Sequence, residues 1–199
     1  MMSSSSALAP GRAGNPRARY LPGEAGMWFF ILGDLLIFGL YFIAYMVYRG
    51  QDSALFLHSQ QQLNQSIGVI NTLVLLTSSW CLALGTEAAR DGKTAHALRL
   101  FGATVAIGGL FPFLKLLEWG PKLAAGHTAG ENLFFMFYYV MTGLHLCHVL
   151  LGLVIIGFMI RHLRRNPLPD VKFLEAGAIY WHMVDLLWLV LFALFYLMR

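Results

Sequence analysis

The chain has 199 residues, of which 58% are hydrophobic, 14% aromatic and 12% charged, whereas soluble domains contain about 25% charged residues. Together with a mean hydropathy of +0.63, this composition excludes an ordinary soluble domain and indicates an integral membrane protein. The net charge of +4 does not indicate a nucleic-acid partner, because the basic residues are divided among several connections and do not cluster.

Five apolar runs follow an N-terminal segment, residues 1–26, that is rich in Ser, Gly and Pro and that we expect to be a disordered cytoplasmic tail. Each run has about 20 residues or more, enough to cross a hydrocarbon core of roughly 30 Å as a helix. We number them spans 1 to 5: Met27–Tyr48, Ser66–Ala88, Ala97–Leu117, Phe134–Ile160 and Gly177–Met198. We therefore expect an all-α fold in which residues 27–199 form one bundle of five transmembrane helices.

The distribution of Lys and Arg in the connections predicts the orientation of this bundle. Ten of these residues lie on the side that includes the N-terminal tail, three lie on the opposite side, and Lys115 lies within span 3. Because cytoplasmic connections carry the excess of Lys and Arg, we expect a cytoplasmic N-terminus and an external C-terminus, which is periplasmic if the membrane is a bacterial inner membrane.

Ionisable residues within the spans are the candidate functional residues, because a charge at membrane depth is costly unless it faces protein or a polar pocket. In chain order they are Asp34, Lys115, Glu118, His145, His148, His182 and Asp185. The last six form three pairs whose members are three residues apart, on neighbouring positions of one helix face. We therefore expect each histidine-containing pair to point into a shared space, and the lysine to pair with the glutamate.

Other residues within the spans carry simpler expectations. Pro112 removes a backbone hydrogen bond, so we expect span 3 to bend just before Lys115. Cys81 and Cys147 lie where an oxidant has little access, and we expect both to be small buried side chains.

A metal or haem site is one interpretation of the polar residues, since imidazole is the commonest metal ligand. It would make the chain an independent membrane cytochrome or metal enzyme that uses His145, His148, His182 and Asp185. Spans 1 to 3 contain no histidine, however, and Cys147 lies about 200° round its helix from His145. We therefore expect this chain to hold no catalytic residue, no cofactor and no metal.

Two other interpretations remain open on the residues alone. A proton pathway can use Asp34, Glu118, His148 and Asp185 if water connects them. A structural network of hydrogen bonds can instead fix the packing of the helices, at an average of about 0.6 kcal/mol for each bond in a membrane protein.

Two sequence motifs resemble subunit III of the haem-copper oxidase superfamily. Residues Tyr180–Trp188 (Tyr-Trp-His-Met-Val-Asp-Leu-Leu-Trp) resemble the signature of that family's last helix, and Thr142–Gly152 resembles its Thr-Gly-x-His-x-x-His-Val segment. A third segment, Leu114–Trp119, resembles one in which the family usually has Gln in place of Lys115. The resemblance extends from about Gly26 to Tyr196.

The chain departs from the larger family members, which have seven spans and carry Glu in the helix that matches span 1. Five spans and Asp34 are similar to the short subunit III of quinol oxidases. The segment Pro22–Trp28, together with Asn71-Thr72 and Ser78–Trp80, looks closer still to the accessory subunit III homologue found with bacterial nitric oxide reductases.

The resemblance implies a non-catalytic subunit of a hetero-oligomeric respiratory membrane complex, active in electron transport. Its partner would be the catalytic subunit I of a haem-copper oxidase or nitric oxide reductase, with haem and copper or iron in that partner. The resemblance also implies structural phospholipid in a cleft, and support of complex stability and proton uptake. We expect Asp34 and His148 to meet across the lipid cleft, and His182 and Asp185 to tie span 5 to the bundle. An assembly factor for such a complex is a further alternative.

Overall fold

The computed structural model of the protein describes residues 25–166 and 170–198, and the predicted tail lies outside them except for its last two residues. This part of the chain is all-α. The helices are α1 (Ala25–Gln51), α2 (Ser53–Gln61), α3 (Gln65–Arg90), α4 (Thr94–Gly108), α5 (Leu110–Ala124), α6 (Leu133–Arg165) and α7 (Val171–Phe192), followed by a π-helical turn, Ala193–Leu197.

Five helical segments of the described residues are long and apolar enough to cross a membrane, as predicted. They correspond to α1, α3, α4 with α5, α6, and α7 with its π-helical turn. Each extends beyond the predicted apolar run at one end or both; the last begins at Val171 rather than Gly177. Helical hydrogen bonding continues into residues whose charged ends reach water, so the helix is longer than the apolar segment.

Two local features modify the simple five-helix pattern. Pro112 has no N–H to continue the helix, and span 3 is interrupted three residues earlier, where α4 ends at Gly108 and α5 begins at Leu110. The bend predicted just before Lys115 thus corresponds to a break in the helix at Gly109, six residues before Lys115. The short surface helix α2 was not predicted; it begins after Asp52, whose carboxylate accepts a hydrogen bond from the Leu55 amide at 3.1 Å.

Helix α7 occupies a central position, in contact with α1, α3 and α6. Its large side chains Trp181 and Trp188 are buried. A Cβ atom built at Gly152 of α6 would lie 2.6 Å from the Trp181 ring, and one at Gly108 would lie 2.8 Å from it. Close approach of backbone and aromatic rings is thus the basis of packing here, as expected where helices associate in lipid by van der Waals contact.

The C-terminal turn is fastened to α1 by two hydrogen bonds. The Tyr45 hydroxyl donates to the Leu194 carbonyl at 3.3 Å, and the Arg49 guanidinium donates to the Met198 carbonyl at 2.8 Å. These bonds use carbonyls that have no partner further along the helix, and they join the first and last membrane-spanning elements.

Candidate lipid cleft and polar network

Lys115 and Glu118 form the most buried ion pair of the described residues, with a distance of 2.8 Å between Nζ and Oε2. Lys115 also donates to the hydroxyls of Tyr138, at 3.2 Å, and Tyr196, at 3.0 Å. The Tyr196 hydroxyl donates in turn to Glu118, 2.8 Å from Oε1. We call these four residues the lysine cluster. The predicted pairing of lysine with glutamate is confirmed. The contacts of the two tyrosines were not predicted.

The lysine cluster is saturated with hydrogen bonds. The three protons of the Lys115 ammonium group match its three acceptors, and the group also lies 5.1 Å from the centre of the Trp188 ring. Lys122 approaches Glu118 from the helix end, 3.5 Å away. This closed arrangement is typical of a structural network rather than of a site that binds a ligand.

His145 is fully buried between aromatic rings. Its ring centre lies 5.4 Å from that of Phe111 and 5.3 Å from that of Trp188. Among the described residues, neither of its ring nitrogens has a hydrogen-bond partner. The expectation that His145 and His148 share one space is wrong, because the rotation between them is enough to turn His145 towards α5 and α7 and His148 towards α1.

Asp34 of α1 and His148 of α6 do meet, as expected, with 3.3 Å between Oδ2 and Nε2. The other ring nitrogen of His148, Nδ1, lies 2.8 Å from the Leu144 carbonyl oxygen and donates to it. Since Nδ1 carries a proton, Nε2 can contact a carboxylate favourably only if a second proton is present on His148 or Asp34. We call these two residues the cleft pair.

Ser79 of α3 contacts His182 of α7, with 2.6 Å between the serine hydroxyl and Nδ1 of His182. His182 is exposed at the surface of the bundle, whereas Asp185 is buried, and among the described residues its Oδ1 has no hydrogen-bond partner. We call Ser79 and His182 the serine relay. It links α7 to α3, which agrees with the tie expected of His182; the tie expected of Asp185 stays a prediction.

Two adjoining cavities lie beside the cleft pair. One, of about 430 Å³, is lined mainly by apolar and aromatic side chains of α1, α6 and α7, including Phe30, Leu151 and Tyr180. The second, of about 620 Å³, shares Ile155, Asp170 and Phe173 with the first and adds basic side chains. Tyr180 connects the first cavity to the cleft pair, because its hydroxyl donates to the His148 carbonyl at 3.4 Å. The two cavities thus join an apolar space to a region that carries basic groups and one carboxylate.

The basic side chains of the second cavity are Arg161, His162 and Arg165, at the last turns of α6. In the sequence, Arg161 and Arg165 contributed only to the prediction of orientation. They are four residues apart and therefore lie on one face of the helix. This spacing could have indicated a shared anion-binding site.

No group of three or more His, Cys, Asp or Glu within residues 25–166 and 170–198 is arranged to hold a metal ion. In particular, His145, His148 and His182 face different neighbours. The expectation for the cysteines is partly wrong: Cys81 is half-buried, but Cys147 is exposed on the surface of α6. A cysteine side chain is small and largely apolar, so it can face lipid at that position without a hydrogen-bond partner.

Comparison with known families agrees with the motifs and the fold. A family model described as cytochrome c oxidase subunit III matches residues 22–199. The chain therefore belongs to the cytochrome c oxidase subunit III family. It is thus a multi-pass membrane protein and a non-catalytic subunit of the haem-copper oxidase type, as the motifs predicted.

Individual subunit III relatives match over most of the chain. Cytochrome c oxidase subunit 3 of Synechocystis is 32% identical over 197 residues, covering 90% of this chain and 82% of that protein. The corresponding protein of Thermostichus vulcanus is 31% identical over 181 residues, covering 87% and 86%. A heme-copper oxidase subunit I+III of Aeropyrum pernix is 28% identical over 182 residues, which are 87% of this chain and 22% of that protein.

Proposed function

We propose that this subunit III stands beside the catalytic subunit I of a cytochrome c oxidase in a bacterial cytoplasmic membrane, with its N-terminus in the cytoplasm. The names of its relatives support the choice of an oxidase, and the excess of Lys and Arg on one side supports the orientation. Haem and copper would be held by the partner, and this chain would hold phospholipid.

The adjoining cavities beside the cleft pair are the observation that carries the lipid function. An acyl chain would occupy the apolar cavity between α1, α6 and α7, and the phosphate would lie between Arg161 and Arg165. The cleft pair lies at the inner end of this space, because Phe30 is one helical turn before Asp34 and Leu151 is three residues after His148. A bound lipid would limit the access of water to the cleft pair, and in this way the subunit would support sustained proton uptake by the complex.

Co-purification tests the partner. The chain, tagged at its N-terminus, is isolated from native membranes in mild detergent, and mass spectrometry identifies the recovered proteins and their ratio. We expect oxidase subunit I in equimolar amount. Three results would overturn the proposal. Recovery of nitric oxide reductase subunits would indicate a denitrification subunit, and recovery of the chain alone with a haem signal would indicate an independent cytochrome. Recovery of oxidase in far less than equimolar amount would indicate an assembly factor.

Lipid analysis of the same complex tests the cleft. Replacing both Arg161 and Arg165 by Gln should lower the amount of tightly bound anionic phospholipid, because two phosphate-binding donors are made neutral. The matched control is replacement of Arg164 by Gln, since Arg164 is exposed on the same helix and lines neither cavity. Equal lipid content in both variants would contradict a phosphate site at the end of α6.

A further inference from the structure

The surface formed by α3 and α7 contains polar groups at a depth where lipid cannot satisfy them. Ser79 is eleven residues from the last residue of α3, and His182 is eleven from the first residue of α7. The apolar runs end nearer than the helices do, at Ala88 and Gly177, so at 1.5 Å per residue Ser79 lies about 14 Å and His182 about 8 Å inside the hydrocarbon core. His182 is nevertheless exposed, and its Nδ1 is occupied by Ser79, so Nε2 is the ring nitrogen left for an outside partner.

A large aromatic side chain lies at the depth of Ser79 on the same surface. Trp80 follows Ser79 directly and is 65% exposed. Tryptophan exposed to lipid is usually found at the membrane–water boundary, not near the middle, whereas tryptophan is enriched among the residues that anchor protein interfaces.

A groove continues from this surface towards the helix ends. It has a volume of about 230 Å³ and is lined by Ala83, Thr86, Glu87 and Arg90 of α3, and by Glu175, Ala178, Ile179 and His182 of α7. Arg90 and Glu175 are paired with each other at 2.8 Å. Alanine and threonine walls allow another helix to approach closely. The groove therefore combines a narrow apolar wall with hydrogen-bonding groups, which is the arrangement expected where one transmembrane helix packs against another.

The outward face of α1 has a different character. Phe29, Leu32, Leu36, Leu40 and Ile43 are all exposed there, from 60% to 83%. Hydrocarbon satisfies such a surface fully, so it needs no protein partner. Two exposed faces of one bundle thus differ in what must cover them.

We propose that the surface of α3 and α7 around Trp80 and His182 is the docking face for a transmembrane helix of the catalytic subunit, which places a hydrogen-bonding side chain against His182 Nε2. This proposal rests on the proposed function, since it takes the oxidase catalytic subunit as the partner. The Aeropyrum pernix relative, named subunit I+III, has both subunits in one polypeptide, so in that protein the two are covalently joined.

Site-specific cross-linking in the intact complex tests the docking face. A benzophenone amino acid is placed at Leu186, one helical turn after His182 and 53% exposed, or at Leu36 of α1, which is 65% exposed. We expect irradiation of native membranes to link position 186 to the catalytic subunit at least about ten-fold more than position 36, whose products should be lipid adducts. Equal yields, or a higher yield from position 36, would overturn the proposal.

Two substitutions separate docking from internal packing. His182→Leu removes both the bond to Ser79 and the outward Nε2, whereas Ser79→Ala removes the same internal bond and leaves Nε2 in place. We expect His182→Leu to lower recovery of the catalytic subunit about five-fold, as for loss of one hydrogen bond, and Ser79→Ala to leave recovery near that of the unmodified chain. Equal losses in the two variants would show that His182 acts only within the bundle.

The unmodified complex distinguishes failure of this proposal from failure of the proposed function. If subunit I is recovered in equimolar amount but links to position 36, the function stands and the docking face is wrong. If no catalytic subunit of an oxidase is recovered, both proposals fail together.

Discussion

The lysine cluster and the cleft pair are both ionisable groups at membrane depth, yet they differ in how completely their hydrogen bonds are satisfied. The side chains of Lys115 and Glu118 have no exposed surface, and every proton of the ammonium group has an acceptor. Asp34 and His148 are 14% and 17% exposed, and Tyr180, which lines a cavity, contacts the carbonyl of His148. Among the described residues, Oδ2 of Asp34 has no well-directed hydrogen bond. A charged residue inside a membrane is therefore not by itself evidence of a functional site. A charged residue near a cavity, with incomplete hydrogen bonds, is the better candidate.

The burial of Glu118 also accounts for Lys115, the residue at which the third motif departs from the family resemblance. Glu118 is a buried carboxylate, and Lys115 supplies the opposite charge at 2.8 Å. Glutamine can donate a hydrogen bond but cannot neutralise that charge. We infer that Lys115 is fixed by the burial of Glu118 in this chain, and that it has no part in proton movement.

Removal of the lysine is expected to have the largest effect. Lys115→Met leaves the Glu118 carboxylate buried with only Lys122, at 3.5 Å, as a cationic partner, and loss of one member of a buried pair costs about 3–5 kcal/mol. The free energy of unfolding in mixed micelles, followed by helical circular dichroism, measures the effect. Lys122→Gln is the control and should cost less than about 1 kcal/mol, because Lys122 is partly exposed. Equal stability of Lys115→Met and the unmodified chain would contradict a structural function of the cluster.

A smaller loss is expected from a methyl group added where α6 meets α7. Gly152→Ala places Cβ 2.6 Å from the Trp181 ring, and such overpacking costs about 1–3 kcal/mol. Gly157 lies on the same helix, and no described atom lies within 4 Å of a Cβ built there. Gly157→Ala should therefore stabilise the helix by about 0.5–1 kcal/mol. Thermal unfolding of the two variants in one detergent tests the pair, and shifts of the same sign would refute the packing argument.

The sequence predicted much of the fold because the membrane simplifies the problem. Long apolar runs must be helices in lipid, where every backbone group needs an internal partner. The runs identified all five membrane-spanning segments of the described residues, and Pro112 identified the interruption near Gly109. The helix α2 was missed because nine residues of mixed polarity carry no membrane signal.

The candidate site was predicted less completely, because side-chain partners on other helices have no signature in one sequence. Spacing within a helix gave the Lys115–Glu118 pair correctly. It failed for His145 and His148, since a helix packed on two sides sends neighbouring residues to different partners. Tyr196 reaches Glu118 from a π-helical turn, whose geometry a 3.6-residue period does not predict. The expected contact of Asp34 with His148 came from the family resemblance and not from spacing.

The serine relay provides a test of intermediate size. Ser79→Ala removes the hydrogen bond to His182 and is expected to cost about 0.6 kcal/mol, the average for such bonds between membrane helices. Thr77 of the same helix is the control, because its hydroxyl donates only to the Leu73 carbonyl within α3, at 2.7 Å. Thr77→Ala should change the free energy of unfolding by less than half as much. A larger loss from Thr77→Ala would mean that the relay contributes nothing to the joining of α3 and α7.

The smallest effect on stability, and the largest on turnover, is expected at the cleft pair. Asp34→Asn keeps a side chain of the same size, whose amide can donate to Nε2 of a neutral His148, so the free energy of unfolding should change by less than about 0.5 kcal/mol. The substitution removes an ionisable carboxyl from the cleft. If that carboxyl supports proton uptake by the complex, the purified oxidase should assemble normally but inactivate after fewer turnovers, and Asp34→Glu, which keeps an ionisable carboxyl, should restore its lifetime. Oxygen consumption followed to inactivation measures this directly. Unchanged inactivation kinetics in Asp34→Asn would show that the cleft pair, like the lysine cluster, contributes only to the packing of the helices.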